Sequence, residues 1–381
     1  MAWTSGRRGV LAVAAFALAA TALWGAYRQG WVGPEKVAGP VRITAQPAAI
    51  WIEAGDTSQS LNFDFLIENN GDTPLGIDSI ELTVRDAAGK PSVRRFIDGN
   101  GFAPAIETVA GRMVPAHGKS IVFNPFHSFH NGVELASLEY KFGLSIPQEV
   151  PETRASVVVH PKTFVAKTAL GLPVKGRVLI HDGHDFYAHH RRLDTEHVAA
   201  KQFGLSRNFM RYSLDINPAG QDFELFRNSG AKNEDWYAWE QPLYATGDGI
   251  VVATSDAAPD NIRGGKNYFD PQAVVKTPMK FYGNYVVIDH RNGEFSLLGH
   301  VRQGSVSVKV GDAVTRGQSV AKIGSSGSSN NPHVHYELRT GKDLQVEGLP
   351  AIFRGFTRVL GTKSVSVEAG PVDSGDLLEV K

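Results

Sequence analysis

Residues 284–339 hold the densest alternation of short apolar runs and turn residues in the chain. The runs at 285–290 and 295–300 are β-branched or apolar and are joined by Arg291-Asn292-Gly293, a hairpin signal. Two further strands are expected at 306–310 and 320–323, separated by the turns Gly311-Asp312 and Arg316-Gly317. The last run, His333-Val334-His335-Tyr336-Glu337-Leu338, alternates with period two. His333 and His335 therefore share one face, while Val334, Tyr336 and Leu338 face the core. Two imidazoles roughly 7 Å apart along a strand suit a metal ligand and its catalytic neighbour.

Upstream, residues 41–165 read as β throughout. Strand-like runs at 50–52, 61–67, 77–84, 121–123 and 138–146 are separated by turn signals such as Asn69-Asn70-Gly71-Asp72. This spacing predicts a sandwich of immunoglobulin type without a catalytic constellation. His117, His127 and His130 fall in loop-like sequence there and read as surface or packing residues. A connection over 167–177 leads to a second domain at 174–345. A helix is expected at 196–203, N-capped by Thr195 and closed by Gly204, with strands at 211–216 and 250–253. The long segments between them are candidate substrate-facing loops. Residues 346–381 form a C-terminal extension, strand-like at 364–367 and without evident chemistry.

Composition narrows the chemistry. The chain has 381 residues, enough for two domains with cores, and 42% hydrophobic residues. Lys+Arg and Asp+Glu are equal at 39 each, so bulk charge gives no argument for nucleic acid as a partner. Cysteine is absent, which excludes disulfides, thiolate zinc ligands and a thiol nucleophile. Five of the 13 histidines (His181, His184, His189, His190 and His197) crowd into one short segment. At the N-terminus Arg7-Arg8 precedes an uncharged apolar run over 9–27. Residues 1–32 are read as a signal peptide or membrane anchor, so the expected location is the periplasm or cell envelope.

Read together, YATGDGIVVAT, GNYVVIDH, LLGH, VKVGDAVTRGQSVAKIGSSG and PHVHYEL resemble the lysostaphin/LytM-type zinc endopeptidases of the bacterial cell wall. The resemblance covers roughly residues 174–339. It implies an all-β fold: the immunoglobulin-like sandwich followed by a LytM-like antiparallel sheet or barrel-sandwich peptidase domain. By position it implies Asp215 and His335 as zinc ligands, and His300 and His333 as catalytic histidines flanking a zinc-activated water. Two imidazoles and a carboxylate leave a fourth zinc position open, as catalytic sites do. One position departs from the family pattern. Arg211 stands where the first ligating histidine is expected, and a guanidinium cannot ligate zinc. Either the domain is metal-free or the upstream cluster supplies a replacement. His189 and His190 face opposite ways on an extended segment, and His190 is the preferred donor beside Arg191.

Two functions follow from the resemblance. The first is an exported zinc metalloendopeptidase acting on peptidoglycan peptides. The second is a catalytically inactive domain that binds the wall or activates a partner amidase in the cell envelope. The VGDAVTRGQSVAKIG run also resembles the hairpins of lipoyl and biotinyl carrier domains, but the modified lysine at a hairpin tip is missing.

Overall fold

The computed structural model describes residues 41–99, 105–146 and 153–381. The expected N-terminal signal or anchor lies outside the described residues. The fold is β-rich, with two short α-helices and three short 3-10 helices among the described residues.

The first unit packs antiparallel sheets around one core. A sheet of Val41–Gln46, Asp64–Asn69 and Gly118–Phe123 lies over a larger one built on Leu75–Arg85 and Ser137–Ser145. Alternation along Asp64–Asn69 sends Phe65 and Ile67 inward. There Phe65 meets Tyr140 and Phe142 of the facing sheet at ring separations of 4.8 and 5.0 Å. A third sheet carries Trp51–Ala54, Ser58–Leu61 and Ser128–His130 toward the second unit.

The second unit is built on one large, open, antiparallel sheet, with a small two-stranded sheet of Pro242–Tyr244 and Ser319–Lys322 beside it. At its centre Val334–Arg339 lies between Phe295–Val301 and Leu214–Pro218. All six residues of Val334–Arg339 are buried. Val334, Tyr336 and Leu338 enter the main core with Val286, Ile288 and Leu298. The opposite face is polar and also buried, so its groups must find partners inside the protein. The sheet does not close into a barrel: it ends in a C-terminal hairpin, Phe353–Leu360 with Lys363–Gly370. The last strand, Leu377–Val380, pairs with Gly176–Asp182. The C-terminal extension is thus an integral flank of the sheet that carries the candidate site.

Three local expectations are corrected. Residues 306–310 form no strand; Val306 and Val308 only pack against the core, and Ser307 N–H donates to the Val320 carbonyl at 2.9 Å. The first helix is shorter, Val198–Gln202, and its N-cap is His197, whose side chain accepts from Ala199 N–H. Thr195 is buried ahead of it. The strand expected from Arg211 begins at Leu214, because residues 208–213 are tied in turns by Arg211 N–H to Asn208 and Ser213 N–H to Met210.

Candidate metal centre

Strand register brings the site together. Asp215 and His335 are direct cross-strand partners, and Gly299 lies opposite His335 on its other side, so His300 follows at the strand end. Side chains of directly opposed residues lie about 5 Å apart, close enough to share one ion. His335 Nδ1 is 3.0 Å from Asp215 Oδ1. His333, two residues earlier on the same face, brings Nε2 to 3.4 Å from the same oxygen.

The upstream cluster arrives through a bulge. Pairing of Gly176–Asp182 with Leu214–Pro218 shifts register between Ile180 and Asp182. His181 becomes the extra residue, and the chain leaves the sheet into the loop beyond Asp182. That loop buries His190, whose Nε2 lies 3.4 Å from Asp215 Oδ1 and whose ring centre is 4.9 Å from that of His335. His189 turns outward, largely exposed, with Nδ1 on Asp182 at 2.5 Å. The candidate donors His190, Asp215 and His335 therefore meet at one carboxylate oxygen, with His300 and His333 beside them. All five line one open cavity of about 310 Å³, with Met210 and Phe281 as its apolar wall.

Each of the four imidazoles spends one nitrogen on a protein acceptor. His190 Nδ1 lies 3.2 Å from the Gly183 carbonyl, His300 Nδ1 2.8 Å from that of Ser326, and His333 Nδ1 2.8 Å from that of Asn331. A carbonyl only accepts, so the proton sits on Nδ1 and the Nε2 lone pair is left over. In His335 the roles reverse: Nε2 donates to Glu337 Oε1 at 2.8 Å and Nδ1 turns to Asp215. The leftover nitrogens of His190, His333 and His335 are the ones that face Asp215 Oδ1. This is the outer-shell arrangement that fixes tautomers around a metal.

The turn behind His300 demands glycine twice. Gly283 and Gly327 both have positive φ, +66° and +69°, and a Cβ on either would strike the other's backbone. That contact sets the Ser326 carbonyl under His300. His300 itself sits at φ +59°, a conformation costing roughly 1–3 kcal/mol in a non-glycine residue.

Charge in the site is divided. Burial holds His190 down at about 4, and burial together with the neighbouring imidazoles holds His300 well below its ordinary value, so both are neutral at pH 7. Burial also acts against protonated His335, but the carboxylates of Asp215 and Glu337 outweigh it and lift the ring to about 9. Burial would raise Asp215, yet the surrounding imidazoles bring it well below the usual carboxylate range.

Glu337 and Arg339 extend the polar face of the His-x-His strand. Glu337 accepts from Tyr282 Oη at 2.7 Å and from Arg339 Nη1 at 3.0 Å, which satisfies a buried carboxylate completely enough to hold His335. The period-two alternation that puts His333 and His335 on one face carries Glu337 and Arg339 onto it as well.

Arg211 points away from the site. Its guanidinium is buried against Asp64 of the first unit at 2.6 Å, with Glu347 at 3.9 Å. The side chain that occupies the expected ligand position is therefore a docking group between the two units.

Residues 235–346 match the model for Peptidase family M23. The chain carries an M23 domain. His300, His333 and His335 lie inside the match, whereas His190 and Asp215 precede it. Over 97 residues the chain is 34% identical to the peptidoglycan DD-endopeptidase ShyA of Vibrio cholerae, covering 26% of this chain and 17% of that protein. Over 91 residues it is 36% identical to the murein hydrolase activator EnvC of Escherichia coli, covering 24% and 20%. The chain thus spans a fifth or less of the length of these two curated relatives. The catalytic domain of lysostaphin from Staphylococcus simulans aligns with 20% identity over 39% of this chain and 95% of its own, at a TM-score of 0.19.

Proposed function

We propose that this M23-domain protein is an exported zinc metalloendopeptidase that hydrolyses peptide bonds in peptidoglycan. The observation that carries the proposal is the convergence of His190 Nε2 and His335 Nδ1 on Asp215, with each ring's other nitrogen held by a protein acceptor. Two imidazoles, that of His335 once its proton is displaced, and one carboxylate form a donor set that suits zinc and leaves a position open. Zinc held there supplies Lewis-acid chemistry, polarising an amide carbonyl and acidifying water. The chain's own residues do the rest. His300 and His333 offer Nε2 lone pairs that take a proton from water as it attacks the amide carbon. Once protonated, the same nitrogens donate to the oxyanion or return the proton to the departing amine. Met210 and Phe281 border the cavity with apolar surface, and Asn330 and Asn331 border it with amide groups suited to a peptide backbone. Support for export is the basic flank and apolar run at residues 7–27; support for a wall substrate is the likeness to ShyA.

The second reading, an inactive activator of a wall amidase, draws on Arg211 and on the likeness to EnvC. His190 answers the first of these, because it supplies the donor that Arg211 cannot. The deciding experiment pairs metal analysis of the full-length chain with release of cross-linked muropeptides from sacculi. The expected result is one zinc per chain and hydrolysis. His335→Ala loses both, and His333→Ala keeps the zinc and loses hydrolysis. A wild-type chain without zinc after reconstitution sinks the metallopeptidase reading in favour of the activator.

A further inference from the structure

The loop that delivers His190 has little structure of its own. It is bends and turns between residues 183 and 197, and its outward side chains grip the first unit. His184 Nε2 meets Glu53 Oε2 at 2.9 Å, with both groups buried. Phe186 stacks on His127 at 4.7 Å between ring centres, with the planes 7° apart. Arg192 lies over the Phe123 ring at 5.0 Å. From the other side the turn ahead of the last strand holds the loop's entry: Asp373 Oδ1 accepts from His184 and Asp185 N–H at 2.9 and 3.0 Å. Between these grips His190 Nδ1 rests on Gly183, so a shift of the 183–184 peptide moves the candidate ligand directly.

We infer that the N-terminal sandwich is a structural part of the metal centre: Glu53, through His184, is a positioning residue for His190. The inference rests on the zinc reading given above. It assigns the sandwich a role that a spacer or wall-docking module would not have. Arg211 and His190 then belong to one arrangement. Arg211 clamps Asp64, and the clamp fixes the units so that a loop lying between them can supply the donor.

The test measures zinc affinity of the full-length chain by chelator competition, with the d–d spectrum of the cobalt(II) form as a report on coordination. Glu53→Ala should weaken zinc binding about tenfold or more, the scale typical of outer-shell losses. Its cobalt spectrum should shift toward that of His190→Ala, and Glu53→Asp should restore part of the loss. In the His190→Ala background Glu53→Ala should change nothing further, because the ring it positions is gone. Phe186→Ala, which removes only stacking, should show a smaller loss of the same kind and serves if Glu53→Ala does not fold. Glu139→Gln, on a distant strand of the sandwich, is the control. Wild-type affinity in Glu53→Ala, or a loss fully additive with that of His190→Ala, overturns the inference while leaving the zinc reading intact. If the wild type binds no zinc, or His190→Ala binds as tightly as wild type, the ligand set fails and the inference falls with it.

Discussion

The buried pair between Glu53 and His184 should make the joint between the units sensitive to alkaline pH. Burial alone would strip the proton from His184, but Glu53 and then Asp373 outweigh it and raise the ring from 6.5 to about 9. A group raised on folding contributes stability that is fully present below about pH 6.5 and is lost as pH climbs through about 9. At about 1.4 kcal/mol per tenfold, that rise corresponds to roughly 3 kcal/mol. Both side chains are buried, so solvent screening removes little of it. The perturbation is Glu53→Gln, which keeps the shape and removes the charge. The assay is urea unfolding of the metal-free chain, followed by tryptophan fluorescence and circular dichroism at intervals from pH 6 to 10. The wild-type advantage should be largest near pH 6 and shrink by roughly 3 kcal/mol by pH 10. His335, also raised, contributes to both proteins and cancels in the difference. A gap that stays constant across this range would refute the assignment of a charged His184 to the joint.

Other expectations concern the site and its frame. Zinc must displace the proton on His335, which is held to about 9. Apparent affinity should therefore weaken about tenfold for each unit of pH lowered from 8.5 to 6.5, measured by chelator competition at fixed ionic strength. His190→Ala should lower zinc occupancy sharply, while His189→Ala, whose ring is exposed on Asp182, should leave it near wild type by elemental analysis. Arg211→Met strands the Asp64 carboxylate inside the protein and should cost roughly 3–5 kcal/mol in denaturant unfolding, without shifting the cobalt spectrum of the folded fraction.

Much of this site is legible in the sequence where it depends on strand periodicity. His333 and His335 on one face, Val334, Tyr336 and Leu338 on the other, follow from counting by twos, and the register then sets Asp215 opposite His335. Glu337 and Arg339 were equally countable. What could not be counted was the approach of the loop after Asp182. The local chain gives no reason to choose His190 over His189; the choice is made by a bulge at His181 and by Glu53, more than a hundred residues earlier. Arg211 illustrates the same limit. The sequence shows that it cannot ligate zinc, but its partner Asp64 lies 147 residues away and is found only by folding. The helix boundary differs for a smaller reason: a histidine ring caps it where the sequence pattern points to a threonine.

The pairing of Gly176–Asp182 with Leu377–Val380 also orders events in time. A chain emerging from the ribosome presents its sandwich first, and the histidines of the site well before the strand that flanks them. Until that strand arrives, Gly176–Asp182 is an open edge, and the entry of the His190 loop lacks Asp373, which sits 189 residues beyond His184. A nascent protein therefore holds the histidines of the candidate site before the strand and the Asp373 carboxylate that border their loop.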